Sequence, residues 1–254
     1  MSLVFLEIMP PLATITLNRP ERHNSLIPEL LRELLEVIDS VKANNEVRVV
    51  VLQANGRSFS TGGDVKAFYD HWNEIESYSG KVVGLLNDSI LALINLPQPI
   101  VAAVHGIVTG GSLGLVLACD VVLLSERASF TSFYSVVGFS PDGGWTAMLP
   151  SLIGQKRAAQ ALMLNETITA RQAVEWGMAN RIVEADSIRD EAVAAARKIA
   201  AMKVGSIRRA KKNLWSNVDQ IARSLESERA QFITQIKTED AKLGVAQFLS
   251  ASMM

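Results

Sequence analysis

The stretch PIVAAVHGIVTGGSLGLVLACDVVLLSE, residues 99–126, decides how this chain folds. It is apolar almost throughout. His105, Gly110-Gly111 and Asp120 interrupt it, and a lipid-facing helix would hold such groups at high cost. Length and punctuation divide it further. IVAAVH (100–105) reads as a short strand covered on both faces, as β-branched runs of this length do. Gly106 to Gly111 reads as a glycine-bearing turn, Ser112 to Cys119 as one buried helix, and VVLLSE (121–126) as a returning strand. Where the turn enters the helix, the first N–H groups lack an intrahelical partner and the dipole adds partial positive charge. Gly110 and Gly111 have no side chain, so a ligand oxygen can approach those N–H groups closely. The junction is a place to hold negative charge.

The rest of the chain sets limits on what that place serves. Its 254 residues suffice for a sizeable core in one large domain or two modest ones. A hydrophobic share of 48% with 20% charged residues is that of an ordinary globular protein. A net charge of −1 gives no electrostatic reason to expect nucleic acid or an anionic membrane as partner. The single cysteine, Cys119, excludes an internal disulfide, and its apolar neighbours make it a buried structural thiol. No closely spaced histidine pair suggests a metal. MSLVFLEIMPPL lacks a basic start, and Glu7 breaks its apolar run, so no signal peptide is read and a cytoplasmic location is expected.

In chain order, LVFLEIM and ATITLNRP read as two strands around Pro10-Pro11, and Pro28 starts a helix striped by Leu30, Leu31, Leu34, Leu35, Ile38 and Val41. VRVVVLQA (47–54) is a buried strand with GRSFSTGGDVKAF (56–68) as its glycine-rich exit, and residues 82–96 form a helix stopped by Pro97 and Pro99. Strand, loop, helix and strand recur, which points to parallel β-α units. Beyond Glu126, residues 128–130 add a short strand and SPDGGWTAML starts a helix close to Asp142. Two more helices follow, the second with Thr169 as N-cap and Gly177 at its end. From Ser187 onward the chain reads as helix, broken near Gly205, Ser216 and Lys237. The pattern divides it into a mixed α/β core over 1–195 and a helical region over 196–254.

NRPERHNSL, RSFSTGGDVKAF, VHGIVTGGSLGLVLACD, SPDGGWTAMLPSLIG, TARQAVEWGMANRIVE and TEDAKLGVAQF follow one another in an order and spacing that resembles the crotonase (enoyl-CoA hydratase/isomerase) superfamily. The likeness spans nearly the whole chain. It implies an α/β spiral of ββα units, a C-terminal α-helical trimerisation region, and a homotrimer or a hexamer built as a dimer of trimers. It also implies a coenzyme A thioester as substrate, with no separate cofactor. Leu214, Val218, Ile221, Leu225, Phe232 and Ile236 are the apolar side chains expected to form the oligomer interface.

By the same resemblance, the N–H groups of Thr61 and Gly111 form an oxyanion hole for a thioester enolate. Prearranged donors of this kind favour the transition state, because the oxygen gains charge only as the α-proton leaves. Gly62, Gly63, Asp64 and Gly110 complete the two loops, with Asp64 read as fixing its loop rather than as a base. Arg22 and Lys66 are the expected partners of coenzyme A phosphates, and Trp145 is placed within reach of the acyl pocket. A typical hydratase of this family carries two glutamates that handle water. Here those positions hold Gly114 and Tyr134, the latter read as a packed aromatic able to line the pocket or donate a hydrogen bond. Asp142, in SPDGG, is the best surviving carboxylate, at a position where some isomerases and an aryl-CoA dehalogenase of the family carry aspartate. Aspartate before Gly-Gly-Trp is also a good helix N-cap, so Asp142→Asn is expected to leave stability unchanged. The expected activity is an enoyl-CoA isomerase with Asp142 as its acid–base residue. The alternatives are a hydratase and an acyl-CoA-binding or scaffold protein without chemistry.

Overall fold

The computed structural model describes residues 2–252. Strands β1 (Val4–Met9) and β2 (Leu12–Leu17) pair antiparallel, and helix α1 (Pro28–Ala43) follows. Next come β3 (Val49–Ala54), α2 (Val65–Asp70) and the long α3 (Ile75–Asn95). The opening stretch folds as β4 (Ile100–Val104), β5 (Ile107–Thr109), a 3-10 turn over Gly110–Ser112, α4 (Leu113–Leu117) and β6 (Val121–Ser125). Then come β7 (Ser129–Thr131), α5 (Tyr134–Val137), α6 (Leu149–Ile153), α7 (Gln155–Met163), β8 (Ile168–Thr169), α8 (Ala170–Glu175) and β9 (Arg181–Val183). Four helices close the chain: α9 (Ile188–Ala200), α10 (Val204–Leu214), α11 (Val218–Gln235) and α12 (Glu239–Ser252).

A six-stranded sheet in the order β1-β2-β3-β4-β6-β9 is parallel from β2 onward. Beside it runs a second ladder. Leu26 bridges Gly63, Ser60 bridges Val108, and β5 pairs with β7, each time parallel. Each turn of chain therefore gives one strand to the main sheet, a shorter extended piece to the second ladder, and then a helix. That is the expected ββα spiral.

Both faces of the main sheet are covered, which explains the unbroken apolar runs. Alternate residues point opposite ways. Val50 and Leu52 enter the larger core with Leu30, Leu34 and Ile90, while Val49 and Val51 meet Ile188, Ala192, Ala196 and Ala200 of α9. The alanines recur every four residues, so one face of α9 is smooth enough to lie close on the strands.

Several expectations are corrected. The turn expected over Gly106 to Gly111 contains β5, because Val108 and Thr109 find parallel partners on both sides. The helix expected from 82 begins at Ile75. No helix starts at Asp142: Gly143 and Gly144 take φ of +58° and +89°, outside the helical region, and the next helix waits until Leu149. The break expected near Gly205 is found, at 201–203. The boundary at residue 195 falls within α9, a single helix packed on the sheet, so the mixed core extends through it.

The expected oligomer surface is corrected as well. Ile221, Leu225, Phe232 and Ile236 are buried in the chain's own core, because α11 lies along α3 and Asn87 Nδ2 donates to the Leu225 carbonyl at 3.0 Å. Leu214 is largely exposed, and Val218 is half-buried. Helix α12 crosses α5 so closely that a Cβ on Gly244 would come within 2.5 Å of the Val137 carbonyl oxygen. Among the described residues no helix is long and apolar enough to cross a membrane.

Candidate active site

The loops leaving β3 and β5 meet at the heart of the molecule. Ser112 Oγ lies 2.7 Å from the Thr109 carbonyl oxygen and 3.0 Å from that of Ser60, and Ser60 Oγ donates to the Asn24 carbonyl at 2.7 Å. Gly62, at φ +72°, touches the second loop backbone to backbone: a Cβ there would stand 2.5 Å from the Thr109 carbonyl oxygen. Gly111 is the second residue of the 3-10 turn, where its N–H has no intrahelical acceptor. The Thr61 N–H is differently placed, since it donates to the His23 carbonyl at 3.1 Å. Of the two expected donors, one is therefore held by the chain's own loop.

Asp64 fixes that loop. Arg19 Nη1 donates to it at 2.8 Å, Arg22 Nη2 at 3.0 Å and Ser25 Oγ at 3.1 Å, and its own carboxylate caps α2 by accepting from Ala67 N. Burial works to raise its pKa, but the hydrogen bonds from Arg19 and Arg22 and the Arg22 charge outweigh it and hold the carboxyl below its ordinary range.

These loops form one wall of a cavity of about 940 Å³, large for a small-molecule site. Glu21, Arg22, His23, Lys66 and Tyr69 surround its polar mouth, where Lys66 is paired with Asp70. Phe68, Val82, Leu86, Phe139 and Phe232 line its apolar interior, and α12 adds Ala246, Phe248 and Leu249. Thr61, Gly63, Asp64, Gly110, Gly111, Tyr134 and Asp142 all reach the lining. Gly62 and Trp145, also expected there, do not. Gly62 is spent on the loop-to-loop contact. Trp145 is fully buried behind the wall, its Nε1 donating to the Gly110 carbonyl at 2.8 Å and its ring edge-on to Tyr134.

The opposite wall carries a buried carboxyl group. Asp142 is 6% exposed, and its oxygens would stand 3.0 and 3.2 Å from a Cβ on Gly111. Tyr134 Oη donates to Asp142 Oδ1 at 2.5 Å, with the Asp142 carbonyl oxygen 3.0 Å away. Burial is the largest influence and lifts the Asp142 pKa from an ordinary 3.8 to about 7; the Tyr134 hydrogen bond pulls it down, and the charge of Glu228 pushes it up again. Tyr134 itself is pushed well above its usual value by burial and by the Asp142 charge. It is a polar partner in the site rather than mere packing.

Asp142 is no helix cap: its side chain takes the tyrosine hydroxyl, and no helix begins at it. The other expected glutamate position is closed. A Cβ on Gly114 would stand 2.3 Å from Ile90 Cδ1 and 2.5 Å from the Gly143 carbonyl oxygen.

Sequence reasoning missed Glu228 and Arg19. Glu228 had a visible signal: Ile221, Leu225, Glu228 and Phe232 share one helical stripe, and a carboxylate on a buried stripe needs an explanation. Arg19 had none beyond its place in NRPERHNSL.

A sequence profile describing the enoyl-CoA hydratase/isomerase family matches residues 7–252. A "Probable enoyl-CoA hydratase" of Mycobacterium bovis is 36% identical over 223 residues, covering 86% of this chain and 78% of that protein. The 1,2-epoxyphenylacetyl-CoA isomerase of Escherichia coli is 31% identical over 241 residues, covering 93% of this chain and 91% of its own. The crystal structure of an enoyl-CoA hydratase from Bacillus halodurans superposes with a TM-score of 0.90 at 27% identity, covering 97% of this chain and all of that one.

Proposed function

This chain belongs to the enoyl-CoA hydratase/isomerase family, and within it we propose that the protein is an acyl-CoA isomerase working by a proton shift rather than a hydratase. One observation carries the reading. Among the described residues, Asp142 is the only buried carboxylate in the cavity lining that no arginine holds, and the positions that by resemblance would carry water-handling glutamates hold Gly114 and Tyr134. Adding water calls for one group to activate the nucleophile and another to supply the α-proton. A double-bond shift asks for a single group that takes a proton and returns it.

The steps follow from the two walls. An acyl-CoA enters with its phosphates toward Arg22 and Lys66 and its acyl chain among Phe68, Leu86 and Phe232. Ionised Asp142 takes a proton from C2 of a 3-enoyl thioester. The electron pair moves onto the thioester oxygen, which the Gly111 N–H receives. Thr61 joins as second donor when the His23 carbonyl gives way. The carboxylic acid then returns the same proton at C4, leaving the 2-enoyl thioester. A group titrating near 7 is suited to both halves, since each form is populated at neutral pH. The apolar walls keep out water that would intercept the enolate. Relatives named as isomerases and as hydratases both occur, so the reading rests on the site rather than on the names.

A silent acyl-CoA-binding protein has one observation in its favour, the engagement of Thr61 N by His23. Incubation with 3-hexenoyl-CoA, crotonyl-CoA and an arylacetyl-CoA, with products identified by mass spectrometry, separates the three readings. The expected result is 2-hexenoyl-CoA from the first, with little 3-hydroxybutyryl-CoA from the second. Efficient hydration of crotonyl-CoA would overturn the isomerase, and unchanged substrates with measurable binding would favour the silent protein.

A further inference from the structure

Behind the Asp142 wall stands a second buried carboxylate. Glu228, 4% exposed in the middle of α11, is outside the main cavity and borders a smaller one across the turn, with Ser140, Pro141 and Thr146. Its Oε2 accepts from Gly144 N at 2.8 Å. Its Oε1 accepts from Thr146 N and Thr146 Oγ1, both at 2.7 Å, and from Ala147 N at 2.9 Å. Donors thus converge on both oxygens, so the place demands a group that only accepts. A glutamine would set its NH₂ against one of the N–H groups. Ordinary turn capping needs a single acceptor and no buried charge.

The turn that Glu228 holds is the one that carries Asp142. It touches the other wall as well, since a Cβ on Gly143 would be 2.3 Å from the Gly111 carbonyl oxygen. Of the groups that bear on Asp142, Tyr134 on α5 donates to it, Gly111 lies beneath it, and Glu228 on α11 is the charged neighbour. We propose that Glu228 is the positioning residue of this site: by holding Gly144, Thr146 and Ala147 it fixes the turn that sets the Asp142 carboxylate over Gly111. The inference rests on Asp142 being the acid–base residue. Glu228 also bears on the Asp142 proton, with a sign determined by like charges. A carboxylate nearby favours the protonated form of Asp142, so neutralising Glu228 lets Asp142 ionise at lower pH.

The test uses the whole protein and starts without substrate. Carboxyl ¹³C NMR titration identifies Asp142 as the resonance missing from Asp142→Asn. In Glu228→Gln its midpoint is expected to move to lower pH than in the wild type, and the acid limb of 3-hexenoyl-CoA isomerisation to move with it. Some loss of plateau rate accompanies this, but a midpoint does not depend on the plateau. Glu228→Asp keeps the charge while drawing it back by one methylene. There the midpoint is expected to remain high while turnover falls about 10- to 100-fold, as a misplacement near 1 Å does. An Asp142 midpoint unchanged in Glu228→Gln, or wild-type turnover in Glu228→Asp, would overturn the proposal. Failure of the underlying reading looks different: Asp142→Asn would then turn over like the wild type, whatever the titration shows.

Discussion

One wall of the cavity is built from backbone and the other carries a buried carboxyl group with a second one behind it, and the two are held in place by opposite means. Gly62 and Gly143 let peptide groups touch where any side chain would collide, and Gly111 leaves room for Leu86 and Asp142, so donor positions are set by close contact and carry no titratable group. Tyr134, Asp142 and Glu228 instead bring polar atoms into a place where burial raises both carboxyl groups above their ordinary range. Fixed dipoles can receive a developing charge without rearranging. A group that must take and return a proton near neutral pH has to be detuned from its solution value, and burial does that at a cost in stability. The backbone wall should therefore respond weakly to pH, and the carboxyl wall strongly.

The largest effect is expected where the walls touch. In Gly111→Ala the new methyl would stand 2.5 Å from Leu86 Cδ2 and 3.0 Å from Asp142 Oδ1, disturbing the donor and the base together. Loss of one oxyanion donor alone costs about 10²–10³ in rate. Turnover of 3-hexenoyl-CoA is expected to fall at least that far on the plateau above the Asp142 midpoint, where the base is fully ionised. A loss confined to the acid limb, with the plateau intact, would show that the donor is not disturbed.

Asp142→Asn comes next. Removal of a general base costs at least about 10² in turnover. Stability moves the other way, because the folded-state pKa lies above the unfolded one and ionisation is disfavoured in the folded protein. The wild type accordingly loses stability from this group as pH rises from about 4 to 7, and above 7 the deficit is level, at up to about 4 kcal/mol. Calorimetry should find Asp142→Asn melting higher than the wild type at pH 8, with the advantage shrinking as pH falls toward 4. Equal melting at both ends would mean that Asp142 is not buried in a costly state.

Tyr134→Phe is the mildest and the most specific. It removes the 2.5 Å hydrogen bond that favours ionised Asp142, so the acid limb should move to higher pH, opposite to Glu228→Gln. Turnover at pH 7 is expected to drop about tenfold, the size of one hydrogen bond to a charged group. Affinity for a saturated acyl-CoA, which makes no demand on the Asp142 proton, should change little.

The backbone wall was legible in the sequence and the carboxyl wall only partly so. Glycine pairs at 62–63 and 110–111 are unusual enough to mark close approaches, and the register of six motifs placed them in one site. Asp142 was visible as a residue but not as an environment: its burial, its tyrosine partner and the charge behind it come from α5 and α11, distant in sequence. The capping reading failed because two glycines of positive φ delay the helix to Leu149. The helical C-terminus was read correctly as helix, yet its apolar stripe was assigned to a partner chain. Composition cannot say whether a stripe meets its own core or another molecule.

The filled space at Gly114 bears on how this family can change one activity into another. Even an alanine there would collide with Ile90 and with the Gly143 carbonyl, so a glutamate fits only after the Ile90 side chain and the Asp142 turn have both given way. Contacting positions of this kind do not add their effects independently. Gly114→Glu on its own is therefore expected to cost stability before it can add a water-handling group, whatever stands at position 134. The glycine acts as a steric latch on the choice of chemistry.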